Sequence, residues 1–236
     1  MTNFVLLHGA FHGAWSWPRV AGPLRGAGHR VLTPTQTGLG ERAAELSAEI
    51  TLDTFVQDLV DVLEGEDLHD AVLVGHSFGG SALSGAADRV PGRIRQLVYL
   101  DSVLLQGGQC PADLWPPAVA AERRRLAAEN GDVSVPPPDP GAFGVPPGPD
   151  AEWMRGLLTP HPFGTFVSPL RLRHPVGNGL PCTYVACMDP EYLSLASSKA
   201  AARAMPGWTY REILTGHNPM VTAPGLLVAL LEELTA

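Results

Sequence analysis

Apolar positions along the chain alternate between two rhythms. Short apolar runs at Asn3 to Leu7, Arg30 to Thr33, Ala71 to Val74, Arg95 to Leu100, Cys182 to Cys187 and Thr209 to Leu214 are bounded by turn-forming residues and predict strands. Between them the spacing becomes helical, most clearly over Leu52 to Leu63. There Leu52, Phe55, Val56, Leu59, Val60 and Leu63 recur every three or four residues behind Thr51, a residue suited to cap the helix, and Asp53, Gln57, Asp58 and Asp61 fill the opposite face. A last helix is predicted over Leu226 to Leu234. Strands alternating with helices predict an α/β fold, a mostly parallel sheet of about six strands flanked by helices.

The rhythm breaks between about Leu104 and Gly179. Proline and glycine are dense, Pro136-Pro137-Pro138 interrupts any regular element, and only Ala118 to Glu129 reads as helical. The stretch also holds Trp115, Trp153, Phe143, Phe163 and Phe166, apolar mass that needs burial, so a disordered linker is excluded. We read residues 1–236 as a single domain with a cap inserted at about 104–179, after the strand ending at Asp101. Arg123, Arg124 and Arg125 cover most of the circumference of the predicted cap helix and are expected to face solvent.

Composition narrows the function. With 45% hydrophobic residues, 17% charged residues and a net charge of −8, the chain has the character of an ordinary globule and offers no basic patch to a nucleic acid or an anionic membrane. The first apolar run is too short for a signal peptide, and no run reaches membrane-spanning length. Cys182 and Cys187 lie five apart on one predicted strand, so they face opposite sides and cannot pair. A cytoplasmic location with reduced thiols follows as the expectation. No cluster of metal-ligand spacing appears, and neither metal nor cofactor is expected.

The chemistry sits in Gly75-His76-Ser77-Phe78-Gly79, directly after the run Ala71 to Val74. A Gly-x-Ser-x-Gly turn after a strand is a nucleophile elbow, in which flanking glycines permit a strained backbone and a close helix. A serine hydroxyl then needs a base, an acid to orient that base, and donors for an oxyanion. His217 is the base, in the loop Thr215-Gly216-His217-Asn218-Pro219 that follows the last strand. Asp189, just past Cys182 to Cys187, is the preferred acid from the chain order serine, acid, histidine, and Asp101 stays open as a competitor. The backbone N–H groups of Ala10 and Phe78 are the expected oxyanion donors. Of the remaining histidines, His8 is expected as a buried structural ring and His76 as turned away from the serine. His12 is expected to line the pocket, whereas His29, His69, His161 and His174 read as solvent or cap residues.

Four ordered motifs, His8-Gly9-Ala10-Phe11-His12-Gly13-Ala14-Trp15, Gly38-Leu39-Gly40-Glu41-Arg42, Gly75 to Gly80 and Gly216-His217-Asn218-Pro219-Met220, resemble the α/β-hydrolase superfamily. The nearest group is the small bacterial esterases related to pyrethroid-hydrolysing carboxylesterases, plant methylesterases and hydroxynitrile lyases. The resemblance implies a hydrolase sheet trimmed to about six strands, a small cap over Ser77, and the roles given above for Ser77, His217, Asp189, Ala10 and Phe78. It also implies that an aspartate in the place of Asp101 is usual in the Gly-Leu-Gly-Glu-Arg subgroup. The lyases of the group usually carry threonine in place of Gly9 and lysine in place of Asn218, which favours an esterase acting on a small hydrophobic ester through an acyl-enzyme. A lyase, cyclase or acyltransferase would use the same residues with water excluded, and a receptor would use only the pocket.

Overall fold

In the computed structural model, which describes residues 1–235, six parallel strands form the central sheet: β1 (Asn3–Leu7), β2 (Arg30–Leu32), β3 (Ala71–His76), β4 (Ile94–Leu100), β7 (Cys182–Cys187) and β8 (Thr209–Ile213). Their order is β2-β1-β3-β4-β7-β8. The chain therefore leaves β1 toward one edge and builds from β3 toward the other. The crevice beyond the carboxyl ends of β1 and β3 lies at this reversal, where such sheets hold their ligands.

Side chains alternate across the strands and make a core on each face. Phe4, Leu6, Val72, Val74, Val98 and Leu100 join one cluster, whereas Val5, Leu7, Leu73, Leu97 and Tyr99 join the other. Cys182 and Cys187 fall into opposite clusters, and all three thiols are free.

Helix α1 spans Pro18–Gly26 and α2 spans Leu52–Gly65, starting at Thr51, whose N–H donates to Thr54 Oγ1 at 3.1 Å. The six apolar residues of the α2 stripe are all buried. They pack on α3 (Gly79–Arg89), where a Cβ on Gly85 would stand 2.3 Å from Val56 Cγ2, so only glycine permits this approach.

Between β4 and β7 the structure is richer than the sequence suggested. Besides α4 (Pro117–Glu129) it holds a two-stranded antiparallel pair, β5 (Ser134–Val135) and β6 (His161–Pro162), and helices α5 (Pro149–Arg155) and α6 (Phe163–Val167). Elements of two to seven residues are too short to show a period. Helices α7 (Ala196–Arg203), α8 (Pro219–Thr222) and α9 (Pro224–Thr235) complete the chain. No helix among the described residues is long and apolar enough to cross a membrane.

Candidate active site

Strand β3 ends at His76 and α3 begins at Gly79, so Ser77 and Phe78 make the whole turn. Ser77 has φ of +52°, a left-handed conformation that costs a residue with a side chain of order 1 kcal/mol or more. The turn closes because its glycines leave room: a Cβ would lie 2.7 Å from Leu83 at Gly75, 2.7 Å from the His8 carbonyl oxygen at Gly79, and 1.9 Å from Ser102 Oγ at Gly80.

Register places the next group. His76 pairs with Leu100, so Ser77 and Asp101 follow side by side at the ends of β3 and β4, and Asp101 too is left-handed, at φ +40°. His217 comes from the loop after β8 and bridges the two. Its Nε2 lies 3.0 Å from Ser77 Oγ, and its Nδ1 lies 2.6 Å from Asp101 Oδ2. A carboxylate only accepts, so Nδ1 carries the proton and Nε2 is left to accept from the serine hydroxyl. The ring is held further by His76, whose Nε2–H donates to the His217 carbonyl at 2.7 Å, and by Tyr192, stacked at 4.3 Å between centroids.

Asp101 is fully buried. Its Oδ1 accepts from the Cys187 N–H at 3.1 Å and stands 3.2 Å from the Lys199 ammonium. Lys199, only 5% exposed, also donates to the Cys187 carbonyl at 2.8 Å and faces Glu191 at 3.4 Å. This counter-charge offsets the cost of burying the carboxylate.

Asp189, the acid preferred from chain order, does not meet His217. It is exposed, and its backbone N–H donates to the Thr215 carbonyl at 3.1 Å. The strand order explains this placement. Ser77 follows β3 and His217 follows β8, so the imidazole must reach back across β7 and β4 to touch the serine, and the carboxylate beside it there comes from β4.

Ala10 and Phe78 line the same cavity as Ser77, and among the described residues neither N–H donates to a protein acceptor. Both peptide planes are fixed from behind. The Gly9 carbonyl accepts from His8 Nδ1–H at 2.8 Å, which in a planar trans peptide turns the Ala10 N–H the other way. The Ser77 carbonyl accepts from Ser102 Oγ at 2.6 Å and from the Val103 N–H at 2.9 Å, which does the same for Phe78. His12 Nδ1–H donates to the Ala10 carbonyl at 2.6 Å, and His12 lies outside the cavity wall. Burial pushes His8 down to about 3 and His12 down to about 4. Burial, with neighbouring imidazoles adding to it, holds His76 well below the ordinary range.

His161 is fully buried rather than solvent-facing. It accepts from the Phe11 N–H at 3.2 Å and donates to Thr165 Oγ1 at 2.8 Å, tying β6 and α6 to the loop after β1. The cavity beside Ser77 has a volume of about 70 Å³, room for on the order of five water molecules. Phe11, Trp115, Phe143 and Phe166 make much of its wall. One charged side chain joins them: Arg123, expected outside, points in, while Arg124 and Arg125 stay exposed.

The chain is similar to known proteins over nearly its whole length. Residues 4–230 fit the model of the alpha/beta hydrolase family. The chain belongs to that family. A carbendazim hydrolyzing esterase of Nocardioides sp. (strain SG-4G) is 35% identical over 246 residues, spanning 99% of this chain and all of the relative. An extracellular alpha/beta-hydrolase from a Paenibacillus species superposes with a TM-score of 0.86 at 25% identity, covering 99% of this chain and 98% of the other. An alpha-hydroxynitrile lyase of Arabidopsis thaliana is 37% identical over 103 residues, 43% of this chain and 40% of the lyase. Within the alpha/beta hydrolases this chain is an enzyme of the carboxylesterase type. Lys199, Tyr192, Ser102 and Arg123 were not legible as site residues, although Lys199 is the chain's sole lysine.

Proposed function

We propose that this enzyme hydrolyses a small, largely apolar carboxylic ester through Ser77, His217 and Asp101. The observation that carries the reading is the continuous relay from Ser77 Oγ through the His217 ring to the buried Asp101. Ser77 Oγ attacks the ester carbonyl while its proton passes to His217 Nε2, and Asp101 stabilises the imidazolium. The oxyanion is received by the Ala10 and Phe78 N–H groups. His217 returns the proton to the departing alcohol, and a water activated by the same ring then releases the acid and frees Ser77. The aromatic wall suits an apolar substrate body, and the small cavity suits a short group. The segment between β4 and β7 serves as the cap, supplying Trp115, Val119 and Phe166 to that wall. The related Nocardioides esterase supports ester hydrolysis over lyase chemistry.

The test is fluorophosphonate labelling with a panel of p-nitrophenyl esters, on wild type and Ser77→Ala. Wild type should label at Ser77 and turn over short esters, and the variant should do neither. Ester turnover that persists undiminished in Ser77→Ala would overturn the assignment, as would a wild type inert to both reagents.

A further inference from the structure

The cavity beside Ser77 contains one cationic group with no anion to match it. Arg123 projects from α4 into a wall otherwise made largely of aromatic and aliphatic side chains. Its guanidinium carbon stands 4.5 Å from the Trp115 ring centroid and 5.0 Å from that of Phe166, two more residues of the same wall. Such contacts engage the charge and leave the N–H donors free. Among the described residues no carboxylate or carbonyl accepts from Arg123. The neighbouring arginine shows the contrast, since Arg125 is satisfied by Glu122 and Glu129 on the surface. Burial lowers the Arg123 guanidinium from its ordinary value, with Tyr192 opposing, as expected of a desolvated cation lacking a close counter-ion.

A half-buried guanidinium with no carboxylate partner keeps its N–H donors for solvent or for a ligand entering the cavity. Arg123 also borders a second groove along Val135 to Pro138, sharing Phe11 and Val119 with the inner cavity, so it stands where a ligand could pass between the two. We propose that Arg123 is a specificity residue that binds a carboxylate on the substrate, making the preferred substrate a small ester that carries a free carboxylate on an otherwise apolar body. The inference rests on the ester-hydrolase reading and adds the charge of its substrate. The planar fork of an arginine matches a carboxylate in two hydrogen bonds, and the two aromatic rings fix the fork in place.

The experiment compares substrates of equal length that differ only at the far end: mono-p-nitrophenyl adipate against p-nitrophenyl hexanoate, and the suberate monoester against the octanoate. The readout is the ratio of kcat/KM, anionic over neutral, in wild type, Arg123→Met, Arg123→Lys and Arg124→Met. Arg123→Met should lower the ratio by about tenfold or more, the usual scale of a charge-assisted contact. Arg123→Lys should recover part of it, and Arg124→Met, on the exposed face, should match wild type. A ratio that stays within about twofold of wild type in Arg123→Met overturns the proposal. Should wild type turn over none of these esters, the hydrolase reading fails separately, and calorimetric binding of hexanoate against hexanamide decides for Arg123. Hexanoate held by wild type and about tenfold more weakly by Arg123→Met supports the site. Equal binding, or no binding to wild type, overturns it.

Discussion

Replacing Asp101 with asparagine changes one atom and should nearly abolish turnover. In the native site Asp101 Oδ1 accepts from the Cys187 N–H and faces Lys199, while Oδ2 receives the Nδ1 proton of His217. An asparagine would keep its single oxygen toward Cys187 and Lys199, because those neighbours only donate, and would turn its NH2 toward the imidazole. Nδ1 would then have to accept, and the ring proton would move to Nε2, facing Ser77 Oγ across 3.0 Å. A ring protonated there cannot take the serine proton. Loss of the correct tautomer costs about ten-thousandfold in kcat in triads of this type, about 5 kcal/mol of barrier at 1.36 kcal/mol per tenfold step. Steady-state hydrolysis of p-nitrophenyl butyrate measures the loss, and thermal unfolding of both proteins separates it from misfolding. Asp189→Asn, at an exposed position, should stay within about twofold of wild type, the range expected of a surface change. A greater loss in Asp189→Asn than in Asp101→Asn would refute the reasoning.

Two further outcomes concern stability. His8 and His12 are held neutral by burial, at about 3 and about 4, whereas the unfolded chain protonates them near 6.5. Their contribution is therefore fully present above about pH 6.5 and lost as pH falls toward those folded values, about 2 kcal/mol for each ring by pH 5. Urea midpoints at pH 7 and pH 5 should show the fall, and equal midpoints would contradict it. Lys199→Met strips the buried Asp101 carboxylate of its counter-charge and should cost about 3–5 kcal/mol, a drop of roughly 10 °C in Tm. An unchanged Tm would show that Asp101 needs no partner.

The sheet was legible because its strands are apolar runs with sharp borders: Asn3–Leu7 and Cys182–Cys187 occur as predicted, and the others shift by one or two residues at an end. The elbow was legible because its glycines are a local requirement of the turn. The carboxylate that meets His217 was not, since Asp101 and Asp189 both lie between Ser77 and His217 in the chain and both closely follow a strand. What separates them is the lateral order of the strands, a tertiary fact that no local pattern carries. The same holds for Arg123. A helix bearing three successive arginines must point one of them somewhere other than solvent when its inner face is covered, and only packing decides which.

Lys199 has a practical corollary. It is the chain's one lysine, and it is sequestered under Asp101, so the described surface displays no lysine ammonium. Amine-directed dyes, cross-linkers and immobilisation resins find no lysine handle there. A reagent forcing that amine to react would first have to open the floor of the active site, so lysine acylation would report on unfolding of the site rather than on the surface.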